Sequence, residues 1–106
     1  MKKTAIITMA IVSVFLFASV SLAGVAGTTQ KGYLATWTKD DLSKVSSYIA
    51  NKDEGALRSM LTHNKAFFLK AGMSVFIEKT SWGKIEVRAK GETLTFWTFM
   101  EAVKIN

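Results

Sequence analysis

From Ala66 onward the apolar residues of this chain recur with a period of two and are interrupted at short intervals by glycine, a pattern that strands satisfy and helices do not. Residues 66–69 read as one short strand, ended by Lys70-Ala71-Gly72. Residues 73–80 follow, with Val75 and Ile77 on one face and Ser74, Phe76 and Glu78 on the other, and Ser81-Trp82-Gly83 makes the turn. Residues 84–89 alternate cleanly: Ile85, Val87 and Ala89 point in, while Lys84, Glu86 and Arg88 point out. Lys90-Gly91 is expected as a two-residue hairpin turn. The last strand, 92–100, is apolar on both faces, with Leu94, Phe96 and Met100 on one side and Trp97 and Phe99 on the other. A strand buried on both faces needs a second layer.

The residues before this sheet supply that layer. Thr38 stands ahead of Lys39-Asp40-Asp41 and can cap a helix whose first turn carries two carboxylates near the positive end of the dipole. Leu42, Val45 and Ile49 then form one stripe with Tyr48 at its edge, predicting a helix over 39–51. Asp53 is a second capping residue; Ala56, Leu57, Met60 and Leu61 give the apolar face of a helix over 54–63, which Asn64 ends in a left-handed conformation. With so short a link, the helices should lie together as a hairpin. The expected fold class is therefore α+β, a helical hairpin (38–64) packed on a small antiparallel sheet (65–106), in one domain spanning 38–106.

The N-terminus reads as an address. Lys2 and Lys3 precede an almost wholly apolar run, and Ser21-Leu22-Ala23 offers small residues where a signal peptidase reads, so residues 1–23 are expected to be a cleaved signal peptide. The 27 uncharged residues between Lys3 and Lys31 also leave room for an uncleaved anchor. Residues 24–37, rich in small and polar side chains, suit a flexible new terminus. Periplasmic or secreted localisation follows, with membrane contact only through the signal peptide before cleavage. Lys2 and Lys3 leave with it, which lowers the formal charge from +6 to +4. The remaining lysines are spread evenly and mixed with acids, so nucleic-acid binding is not expected.

The chain has no Cys and one His, which excludes disulfides, thiol catalysis and any multi-histidine metal centre within it. His63 stands where it can meet the last carbonyls of its helix, Asp40-Asp41 and Asp53-Glu54 stand where carboxylates cap, and no serine has a Gly-x-Ser-x-Gly setting. No enzyme, metal or cofactor is expected. An exported domain without disulfides must draw its stability from elsewhere, and its ten aromatic residues are the available means.

The succession Leu69-Lys70-Ala71-Gly72, Val75-Phe76-Ile77-Glu78, Trp82-Gly83, Ile85-Glu86-Val87-Arg88, Gly91 and Trp97 resembles the bacterial SH3-like barrel over about residues 65–103. With the helical hairpin before it, the chain also resembles small exported bacterial proteins of undefined function. The resemblance implies a five-stranded, partly open barrel and a role in binding peptides, cell-wall components or partner proteins. Wall-binding versions often carry Gly-Trp-Val in the late strand, whereas this chain has Phe96-Trp97-Thr98.

Alternation sends Phe76 and Arg88 outward, puts Trp82 in a loop and Trp97 on the outer side of the last strand. Phe76, Trp82, Arg88 and Trp97 are thus the candidate binding residues, an aromatic face with a cation beside it that fits a protein or a cell-wall polymer. A duller assignment competes: Phe76, Trp97 and Phe99 as a second core beneath the helical hairpin. A further function class is an exported enzyme inhibitor or immunity-type factor that presents Thr80-Ser81-Trp82-Gly83 to a target's cleft.

Overall fold

The computed structural model describes residues 23–106, so residues 1–22 of the expected signal peptide lie outside the described residues. Thr38 is extended (φ −131°, ψ 157°) and its hydroxyl accepts the Asp41 amide at 3.1 Å, which opens α1, Lys39–Ala50. Asp53 repeats the device, its carboxylate accepting the Ala56 amide at 3.1 Å to open α2, Glu54–Thr62. Lys52 and Asn64 take left-handed φ values of 56° and 60°, the first turning the chain between the helices and the second ending α2. The inward face of the hairpin is Leu42 and Val45 from α1 and Met60 from α2, all buried, with Tyr48, Leu57 and Leu61 packed round them. Ile49, expected on the stripe, is instead 49% exposed at its edge, and Tyr48 takes the inner place.

Seven strands complete the α+β fold: β1 (Ala26–Thr29), β2 (Leu34–Thr36), β3 (Ala66–Phe68), β4 (Ser74–Ser81), β5 (Lys84–Ala89), β6 (Thr95–Phe99) and β7 (Val103–Ile105), with a 3-10 turn at Met100–Ala102. They form one sheet in the order β3-β2-β6-β5-β4-β1-β7, antiparallel at every pairing. β3 and β7 remain edges, so the sheet does not close. Its inner face packs on itself: Ala35, Val75, Ile77, Ile85, Val87, Phe96 and Val103 share one apolar cluster with Leu69 and Ala102. The other face carries Leu34, Ala66 and Phe99 to the helical hairpin, making a second and smaller cluster.

Two polar groups hold the curl. The buried Thr29 hydroxyl donates to the Lys70 carbonyl at 2.6 Å and accepts the Met73 amide at 2.9 Å, tying the β3–β4 loop to the end of β1. Buried Thr98 donates to the Leu34 carbonyl at 2.9 Å, so its hydroxyl is satisfied inside the sheet.

Three expectations change. Residues 24–37 are not a flexible segment but supply β1 and β2, and the sheet therefore reaches well outside 65–106. β1 has no large apolar alternation, since it is Ala26-Gly27-Thr28-Thr29; it is a strand because β4 and β7 flank it and Gly27 lets β7 come close, a Cβ there meeting Val103 Cγ1 and, at 3.0 Å, the Lys104 carbonyl. Seven strands in an unclosed sheet replace the five of a partly open barrel. Finally, Lys90-Gly91 does centre a turn, the Glu92 amide bonding the Ala89 carbonyl at 2.9 Å, but not a two-residue hairpin, because the chain runs on irregularly until β6 begins at Thr95, the partner of Arg88. Leu94 is consequently 63% exposed rather than inside, Met100 falls in the 3-10 turn, and Thr98 joins Phe96 on the inner face.

Candidate functional site

The outer face of β4, β5 and β6 is set by register. Phe76 pairs with Arg88, which pairs with Thr95; Lys79 pairs with Glu86, which pairs with Trp97; Ser81 pairs with Lys84, which pairs with Phe99. A bulge between Ile77 and Lys79 shifts the alternation of β4 by one residue, so that Lys79 as well as Glu78 faces outward. The helical hairpin covers Phe99, which belongs to the second core. It does not absorb Phe76 or Trp97, which are half-buried and lie in neither apolar cluster. The competing assignments therefore divide by residue: Phe99 is core, while Phe76 and Trp97 keep an exposed edge.

Each of those two rings carries a cation. The Arg88 guanidinium lies 5.3 Å from the Phe76 centroid, and its Nε donates to Glu78 Oε2 at 2.9 Å while Nη1 donates to the Glu92 carbonyl at 3.1 Å. With three partners Arg88 is a fixed plate more than a mobile charge. Lys39, from the first turn of α1, brings its ammonium 5.9 Å from the Trp97 centroid and donates to Ser81 Oγ at 3.3 Å. Between them Glu86 accepts from Thr95 Oγ1 at 2.8 Å and faces Lys79 at 4.0 Å.

Trp82 stands apart from the other three candidates. Ser81 pairs with Lys84, so Trp82 and Gly83 are the two-residue tip of the β4–β5 hairpin, and φ values of 49° and 80° put both in the left-handed region that such a tight tip requires. Glycine reaches that region freely; tryptophan does so at a cost. Its ring is 95% exposed. The link from this tip to the face is Lys39, which touches both Ser81 and Trp97.

Lys39, Thr95 and Glu86 were not singled out from the sequence. Lys39 in particular looks like an ordinary first-turn residue, and its contact to Ser81 spans 42 positions, for which there is no local signal. Another aromatic series has no local sequence signal: Trp37 packs tilted at 36° on Phe67 with centroids 4.7 Å apart, and Phe67 meets Phe96 edge-on at 5.6 Å, carrying the inner core out to the surface. His63 behaves as its position suggests, its Nδ1 lying 2.8 Å from the Ser59 carbonyl one turn back. Among the described residues no group of three or more His, Asp and Glu side chains converges as a metal site. The arrangement offers stacking surfaces, fixed cations and a protruding indole, which are the means of binding. No protein-family model, curated protein or solved structure matches this chain.

Proposed function

We propose that this chain is an exported, non-enzymatic binding module of the periplasm or the extracellular space, an elaborated SH3-like domain that recognises a protein or cell-envelope component through Phe76, Trp82, Arg88 and Trp97. The observation that carries this reading is Trp82: a large apolar ring, 95% exposed, at a left-handed position that an asparagine or glycine fills with less strain. Such a residue contributes little to the fold, and hydrophobic and conformational costs both argue that it is kept for contact. The Lys2-Lys3 start, the apolar run and Ser21-Leu22-Ala23 support export. The curled antiparallel sheet, with one inner core shared by most of its strands, supports the SH3-like reading. The test is retention of the purified protein on envelope proteins and on peptidoglycan, wild type beside Trp82→Asn. Selective loss in the variant is expected, and equal retention of both would overturn the reading.

The protruding tip also favours a second reading, an exported enzyme inhibitor that inserts Thr80-Ser81-Trp82-Gly83 into a target cleft. The β4–β5 ladder behind the tip runs from Val75 and Ala89 to Ser81 and Lys84, a stiff support for such a wedge. Inhibition of a lysozyme or a protease by the wild type, lost in Trp82→Asn, separates this from recognition of an envelope component.

A further inference from the structure

Lysines that are scattered along the chain are gathered by the fold around Trp82. Lys84 follows the tip directly and pairs with Ser81; Lys39 reaches Ser81 Oγ from α1 at 3.3 Å; Lys79 lies one outward position back along β4 with its side chain 73% exposed. Beside them the Met100 amide bonds the Gly83 carbonyl at 2.9 Å, which brings a second apolar side chain, 37% exposed, to the same turn. Phe99, paired with Lys84, walls a groove of about 490 Å³ whose rim carries Phe68 and Ile49, 66% and 49% exposed, and the carboxylate of Glu101. Glu86, on the same outer face, is occupied by Thr95 and Lys79, while Asp40 and Asp41 follow Lys39 in the first turn of α1.

We infer that the Trp82 tip docks on an anionic lipid surface. This deepens the binding-module reading and rests on it, the lipid headgroups being the envelope component recognised. Three features select a membrane over a concave protein partner. The tip is convex and presents one indole at its apex, the side chain best suited to the boundary between headgroups and acyl chains. The apolar side chain that joins it, Met100, comes from a separate turn, so the tip offers single side chains to a fluid surface rather than a groove to a partner's side chain. Lys39, Lys79 and Lys84 stand behind the ring, where long stems let ammonium groups meet phosphates while the ring goes deeper. Even spacing of lysines along the chain conceals this grouping, which is why membrane contact beyond the signal peptide was not expected from the sequence.

The experiment is cosedimentation of the protein, purified in the form the expressing cell leaves it, with vesicles of phosphatidylglycerol and phosphatidylcholine in equal parts and with phosphatidylcholine alone. Wild type, Trp82→Asn and a Lys39→Ala/Lys79→Ala/Lys84→Ala variant share the same N-terminus, so their differences report the tip alone. Binding is expected only to the anionic vesicles, with a blue shift of tryptophan emission absent in Trp82→Asn. It should weaken about fivefold per lysine removed and fall as salt rises. Binding equal in wild type and Trp82→Asn, or none to anionic vesicles, overturns the lipid assignment. If that failure comes with Trp82-dependent retention on peptidoglycan or an envelope protein, the binding-module reading stands; if nothing retains the protein, both fall.

Discussion

Replacing Trp82 by asparagine should make the domain more stable while removing the proposed contact residue. The indole is 95% exposed, so of the roughly 200 Å² a buried tryptophan hides, the fold keeps only about 10 Å², a contribution of about 0.3 kcal/mol. Against this stands the left-handed backbone at φ 49°. That conformation costs an ordinary L-residue roughly 1–2 kcal/mol, and asparagine is among the residues that bear it best, so the exchange should relieve on the order of 0.5–1 kcal/mol. The net gain is about 0.5 kcal/mol, which for a domain of this size raises Tm by roughly 2–4 °C. The turn itself keeps its framework, because the Met100 amide to Gly83 carbonyl bond involves only backbone. Differential scanning calorimetry of the two proteins at equal concentration reads the shift directly. A fall in Tm of several degrees would refute the reasoning, since it would mean that the indole packs against the domain.

Thr29→Val keeps the side-chain shape but orphans the Met73 amide and the Lys70 carbonyl, so a loss of about 1–3 kcal/mol is expected by urea denaturation, and a loss under about 0.5 kcal/mol would remove the threonine as the tie of the β3–β4 loop. Gly27→Ala drives a methyl against Val103 and the Lys104 carbonyl and should cost about 1–3 kcal/mol, with faster amide exchange in β7 than in β5; uniform exchange would argue against a close β1–β7 approach. Phe99→Ala should destabilise by about 2–4 kcal/mol and Phe76→Ala by about 1 kcal/mol, because only Phe99 sits beneath the helical hairpin; equal losses would show that the outer face is core throughout.

What could be read from the sequence and what could not divides along the range of the interactions. Thr38 and Asp53 cap the helices as expected because capping is settled within three residues, and Val75, Ile77, Ile85 and Val87 lie inside because strand alternation is local too. β1 was hidden because its strand character comes from β4 and β7, which lie about 50 and 75 positions further on, and from a glycine that reads as flexibility but serves close packing. The start of β6 was misplaced because a glycine marks a turn without saying how long the loop after it will be. Among the site residues, Phe76 and Arg88 were legible as neighbours on an outward face, and they do meet. Lys39 was not, since only the packing of α1 on the sheet carries it to Trp97 and Ser81.

Trp82 as the contact residue is the claim on which the functional account turns, and the three tryptophans of the chain allow it to be watched in isolation. Fluorine NMR of the fluorotryptophan-labelled protein, with the Trp82 signal assigned by its absence from Trp82→Asn, should show that signal broaden and shift as anionic vesicles or envelope material are added, while the signal of Trp37, which packs on Phe67, moves little. A Trp82 signal unchanged while the protein is bound would contradict the account.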